Sequence, residues 1–145
     1  MRENDLPDHL NLPSGFALAT SRAGFTNHNG PVYRAGGPDD LRSGLFVLDR
    51  HCNSMGFLHG GMASAFADRS MAVAVWDASR KMSVTLKLTM HFFETVRLHD
   101  WLEAHPRVQS TANGIVQVTA ELLINGEKLA MRADATFRTL RRPQI

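Results

Sequence analysis

The chain has 145 residues, 43% of them apolar and 21% charged, with 16 Lys+Arg against 14 Asp+Glu and one cysteine. That length holds one domain over 1–145 and not two, the near-balanced charge leaves no nucleic-acid footprint, and no run approaches the ~18 apolar residues of a membrane span. A lone cysteine excludes an intrachain disulfide framework and fits a reducing, cytoplasmic setting.

Residues 1–15, MRENDLPDHLNLPSG, mix charges with prolines and contain no apolar h-region, so they read as a tail or short helix and not as a signal peptide. A short strand is expected over Gly44–Arg50. The densest run of unusual residues follows: His51, Cys52, Asn53, Gly56, His59, Gly60 and Gly61, leading straight into GGMASAFADRSMAVAVWDAS at 60–79. Apolar residues surround nearly the whole of that helix, which places it inside a core.

Beyond the helix, Met82, Val84, Leu86, Leu88, Met90 and Phe92 alternate with Ser83, Thr85, Lys87, Thr89 and His91, the pattern of a long half-buried strand over 82–94. A strand over Trp101–Val108 contains Pro106, which suits an edge or a bulge. Strands over 115–124 and 128–140 alternate as cleanly and flank Asn125-Gly126, a tight-hairpin signal. The sum is an α+β domain in which an antiparallel sheet wraps one buried helix.

Two features carry chemistry. Gly60 and Gly61 at a helix start leave the backbone open to close approach, and the first helical N–H groups lack intrahelical partners at the positive end of the dipole. Such a terminus can hold a developing oxyanion, or it can serve tight packing alone. Asp68, set in an apolar stretch, is a candidate base, or a structural carboxylate paired with Arg69. Seven helical residues turn through about 700°, so Gly61 and Asp68 share a face but stand about 10 Å apart along the axis. An oxyanion donor and a base serving one carbonyl both need to lie within about 3–4 Å of it. A single straight helix cannot supply both, whereas a two-fold partner can, by placing its Asp68 at the first chain's glycines.

His51 and His59 match no familiar zinc spacing and have no cysteine cluster beside them. Cys52 reads as a small buried hydrophobe. The methionines near the helix read as core, or as the lining of an adaptable acyl tunnel. His91 belongs to the polar face of its strand.

The string Asn53-x-x-Gly56-x-x-His59-Gly60-Gly61-(x)6-Asp68, with Ser83 heading a long strand and Ala133-x-Ala135-Thr136-Phe137 closing the chain, resembles the PaaI-like branch of the hotdog-fold thioesterases over roughly residues 43–138. The resemblance implies a long central helix wrapped by a curved antiparallel sheet of five to six strands. It further implies homodimers with shared active sites, a dimer of dimers, and hydrolysis of acyl-CoA substrates. By the same resemblance the Gly60 N–H polarises the thioester carbonyl. Asp68 from the partner acts as general base or nucleophile, Asn53 and His59 orient the carbonyl or the water, and Ser83 supports the carboxylate. Gly61 would add a substrate contact, and Arg107, Ser110, Thr111 and Asn113 are candidates for the CoA phosphates beside their reading as plain surface residues. No cofactor is implied, since CoA arrives as part of the substrate. Where relatives often carry Arg-Pro at the end of the long strand, this chain reads Met90-His91-Phe92-Phe93-Glu94-Thr95. An acyl-CoA hydratase or dehydratase of the same fold, and a non-catalytic acyl-CoA-binding protein, are the competing readings.

Overall fold

The computed structural model describes residues 6–141. In chain order it contains β1 (Ala17–Leu18), α1 (Gly24–Asn29), β2 (Tyr33–Ala35), β3 (Arg42–Phe46), a 3-10 turn (Asp49–His51), α2 (Gly60–Ser79), β4 (Ser83–Phe92), β5 (Trp101–Ala112), β6 (Ile115–Ile124) and β7 (Lys128–Thr139). One seven-stranded antiparallel sheet in the order β1-β2-β3-β5-β6-β7-β4 carries α2 on one face. The sheet thus has seven strands instead of five to six. The additional ones, β1 and β2, are two and three residues long, too short for alternation to register. No helix of the described residues is long and apolar enough to cross a membrane.

The helix occupies residues 60–79, the span its sequence pattern predicts. It is buried on one face only, through Ala63, Phe66, Ala67, Ser70, Met71, Ala74 and Val75, which corrects the expectation of burial all round. Trp76 is 40% exposed on the opposite side. The core packed beneath α2 takes Leu45 of β3, Leu102 and Ala104 of β5, and the inward residues of β6 and β7; the predicted alternation holds through β6 and from Met131 onward in β7, while a register shift puts Ala130 in the core in place of Leu129.

A second cluster lies on the other face of the sheet. Phe16, Tyr33, Phe46 and Trp101 gather there, covered by Leu6, Leu10, Leu12 and Leu18. The segment read as a tail therefore packs from Leu6 onward, and residues 1–5 lie outside the described part. Gly44 makes this cluster possible: a Cβ on it would stand 2.0 Å from the Trp101 ring.

The long edge strand departs from its sequence pattern. A register shift between Thr85 and Lys87 marks a bulge in β4. The extra residue reverses the parity, so Thr85 before it and Leu88 and Met90 after it all face the helix. Met82, Val84 and Leu86 are turned out, at 68%, 45% and 53% exposure. Pro106 sits in β5, a central strand. However, β3 pairs only with residues 101–104 of β5, so from Pro106 onward the strand has one neighbour and a missing N–H is accommodated.

Candidate active site

His51 begins the site's architecture. Its Nδ1 accepts from the Leu48 N–H at 3.0 Å, which leaves Nε2 to carry the proton and donate to the Asn29 carbonyl at 2.7 Å. The ring is 1% exposed, and burial, the largest cause, holds its pKa below the usual histidine value, with Arg50 adding to the effect. A neutral His51 thus fixes the end of α1 to the turn that precedes α2. Neighbouring Cys52 is half-buried, and burial followed by Asp49 pushes its thiol pKa up, away from nucleophile chemistry.

From there the chain folds back on itself, with Cys52 bridged to Leu58 and the His59 N–H donating to the His51 carbonyl. Asn53 holds the loop: its Oδ1 accepts from the N–H groups of Met55 and Phe57, at 3.0 and 3.2 Å. Gly56, at φ +79°, makes the reversal that a side chain would resist. The Asn53 N–H donates to the Phe57 carbonyl at 2.8 Å, while its side-chain Nδ2 has no partner among the described residues.

His59 is the N-cap of α2, and its Nδ1 accepts from the Gly61 N–H at 2.9 Å. Gly61 therefore has no free amide to offer a substrate. Gly60, by contrast, has an N–H without a partner among the described residues, at the positive end of a twenty-residue helix. A Cβ on Gly60 would meet Phe92 at 3.7 Å, so the β4 end closes one side of this terminus.

Asp68 is two turns further along, half-buried, and accepts from the Thr85 hydroxyl at 2.5 Å. It forms no ion pair with Arg69, which sets aside the structural pairing the sequence allowed. Thr85 is the contact that sequence reading missed. It shares a parity with Ser83, and only the crossing of helix over strand decides which of the two reaches the carboxylate. Ser83, two residues away, lines a separate cleft beside Arg69 and Trp76.

The structure does not bring the phosphate-contact candidates to this place. Arg107 pairs with Thr119 and opens on a small hollow with His105 and Glu121, on the sheet face opposite α2. Ser110, paired with Gln117, faces the same way, and Thr111 belongs to β5 itself. Asn113 and Gly114, at φ +51° and +76°, form the two-residue turn joining β5 to β6, which accounts for an asparagine there without a ligand.

A family model, Thioesterase superfamily, matches residues 55–131. A Pseudomonas aeruginosa protein with the provisional name of an esterase is 30% identical over 131 residues, 88% of this chain and 97% of that protein. Among solved structures, the E. coli PaaI protein of the phenylacetic acid degradation operon superposes with a TM-score of 0.74 at 15% identity, covering 83% of this chain and 86% of that one. A Haemophilus influenzae thioesterase gives 0.76 at 17% identity over 85% and 87%. At those identities the likeness to the solved structures is one of fold.

Proposed function

The chain belongs to the Thioesterase superfamily and has its hotdog fold, and from that premise we propose that it hydrolyses acyl thioesters of coenzyme A at sites shared by two copies of the chain. The observation that carries this reading is the division of labour along α2. An unpartnered Gly60 N–H opens the helix, and a carboxylate held by a strand hydroxyl stands eight residues later. Those positions are about 12 Å apart along the axis, too far to serve one carbonyl.

A second copy closes the gap. β4 is an edge of the sheet, so one side of its ladder is open, and Val84 and Leu86 are exposed upon it. A copy pairing there continues the ladder and sets the two α2 helices side by side. The thioester oxygen then rests on the Gly60 N–H of one subunit, where negative charge is stabilised as the carbonyl is attacked. The partner's Asp68 takes a proton from the attacking water, or itself attacks the carbonyl carbon to give an anhydride that water opens. The CoA thiolate leaves in both cases. By the resemblance to the family, the Asn53 side-chain amide and the second ring nitrogen of His59 serve to orient carbonyl or water.

The test is thiol release from a panel of aromatic, short-chain and long-chain acyl-CoAs. Asp68→Asn is expected to lower kcat about 10²–10⁴-fold with unfolding unchanged; full activity in that variant would remove Asp68 from the mechanism. A protein that binds the ester and releases no thiol is a binder and not an enzyme.

A further inference from the structure

Arg69 adjoins Asp68 on α2 and forms a wall common to two clefts. The smaller, about 400 Å³, lies between α1 and α2, with Phe25, Val32, Met62 and Phe66 around Asp68 and Arg69. The larger, about 1040 Å³, runs over the outer side of α2 between β2 and β4 and includes Ser43 and Ser83.

Arg69 is half-buried, and among the described residues its guanidinium has no hydrogen bond and no ion pair. The nearby carboxylates are engaged elsewhere: Asp77 is bound by Arg34, and Asp68 accepts from Thr85. Burial, and secondly the positive Arg34, push the Arg69 pKa below the usual arginine value. A cation withdrawn from water beside another cation is costly unless an anion joins it. An unpaired, half-buried guanidinium in the wall of the cleft that also holds Asp68 marks where that anion would sit.

We propose that Arg69, on the side facing the smaller cleft, recognises an anionic group on the acyl part of the substrate, so that the preferred esters are those of acids bearing a second carboxylate or a comparable anion. This rests on the thioesterase reading above. In that reading Asp68 marks the thioester carbon, and Arg69 lines the same smaller cleft, so an anion bound there belongs to the acyl side of the ester. The phosphates of CoA are removed from it by the whole pantetheine arm. Phe25, Val32, Met62 and Phe66 suit the carbons linking the two ends.

The experiment compares kcat/KM for chain-matched esters, such as adipoyl-CoA against hexanoyl-CoA and a carboxybenzoyl against a benzoyl ester, in wild type, Arg69→Met and Arg69→Lys. Wild type is expected to favour the carboxylated ester, and Arg69→Met to lower the ratio of carboxylated to neutral by about 10–100-fold, the worth of a hydrogen bond to a charged group. Arg69→Lys is expected to restore part of that ratio. If wild type cleaves both esters with no preference for the carboxylate, or Arg69→Met leaves the ratio as it was, this proposal fails while the thioesterase reading stands. If wild type cleaves no thioester, both fail. If Arg69→Met alters the preference for CoA over pantetheine esters instead, the anion is a phosphate and the acyl assignment is overturned. Dissociation of the Arg69→Met protein into monomers would assign the guanidinium to a partner's carboxylate and overturn it equally.

Discussion

At the residue scale, the proposed mechanism relies on the contact between Thr85 and Asp68 to aim the carboxylate. A hydroxyl donating to a charged acceptor is worth about 1.5–3 kcal/mol. Thr85→Val, which keeps the shape and removes the donor, is therefore expected to lower kcat tenfold or more with little change in KM, and Thr85→Ser to recover most of it. Unchanged kcat in the valine variant would make the contact incidental. His51 gives a prediction in pH. Its folded pKa lies below the ordinary 6.5, so as pH falls through 6.5 the unfolded chain takes up a proton that the folded chain refuses. Stability falls until the pH passes the folded pKa, and is level again below it. His51→Gln is expected to flatten the decline in unfolding temperature between pH 7 and 5. It should also cost about 1–3 kcal/mol at pH 7, where the Leu48 N–H loses a well-placed acceptor. An unaltered slope would show that His51 does not govern that decline. Asp68 and Gly60 stood out in the sequence because an acid in an apolar helix and paired glycines at a helix start are chemically conspicuous. Thr85 did not, because its role depends on where a helix crosses a strand.

At the element scale, the length of α2, the β6 and β7 alternation and the Asn125-Gly126 turn were legible, since each is written as a periodicity or a turn residue. The β4 bulge was not. Both parities of that strand continue smoothly through residue 86, and a one-residue insertion leaves no mark when leucine can face either way. The same limit hid the second cluster, where a glycine in β3 makes room for Trp101 of β5, a contact between residues 57 positions apart. The start of α2 permits a test that leaves the fold intact. His59 has φ −64° and ψ 133°, the conformation favoured before proline, and Gly60 is the first helical residue, where proline is well tolerated. Gly60→Pro removes one N–H and little else. It is expected to keep the helical circular dichroism and lower kcat about 10²–10³-fold, as loss of an oxyanion donor does. Retained activity would place the oxyanion elsewhere.

At the scale of the whole molecule, the proposed mechanism has one chain present half of each of two sites. The free edge of β4 offers a second copy a place to join, and in that mechanism the axial distance between Gly60 and Asp68 calls for one. The most direct measurement mixes two inactive proteins, Asp68→Asn and Gly60→Pro, under conditions of subunit exchange. In a mixed dimer, the intact Gly60 of one chain meets the intact Asp68 of the other at one of two sites. Half of randomly paired dimers are mixed, so thiol release should return to about a quarter of the wild-type rate. If mass measurement shows mixed dimers and the rate stays at that of the separate variants, each site lies within a single chain and the shared-site account is wrong.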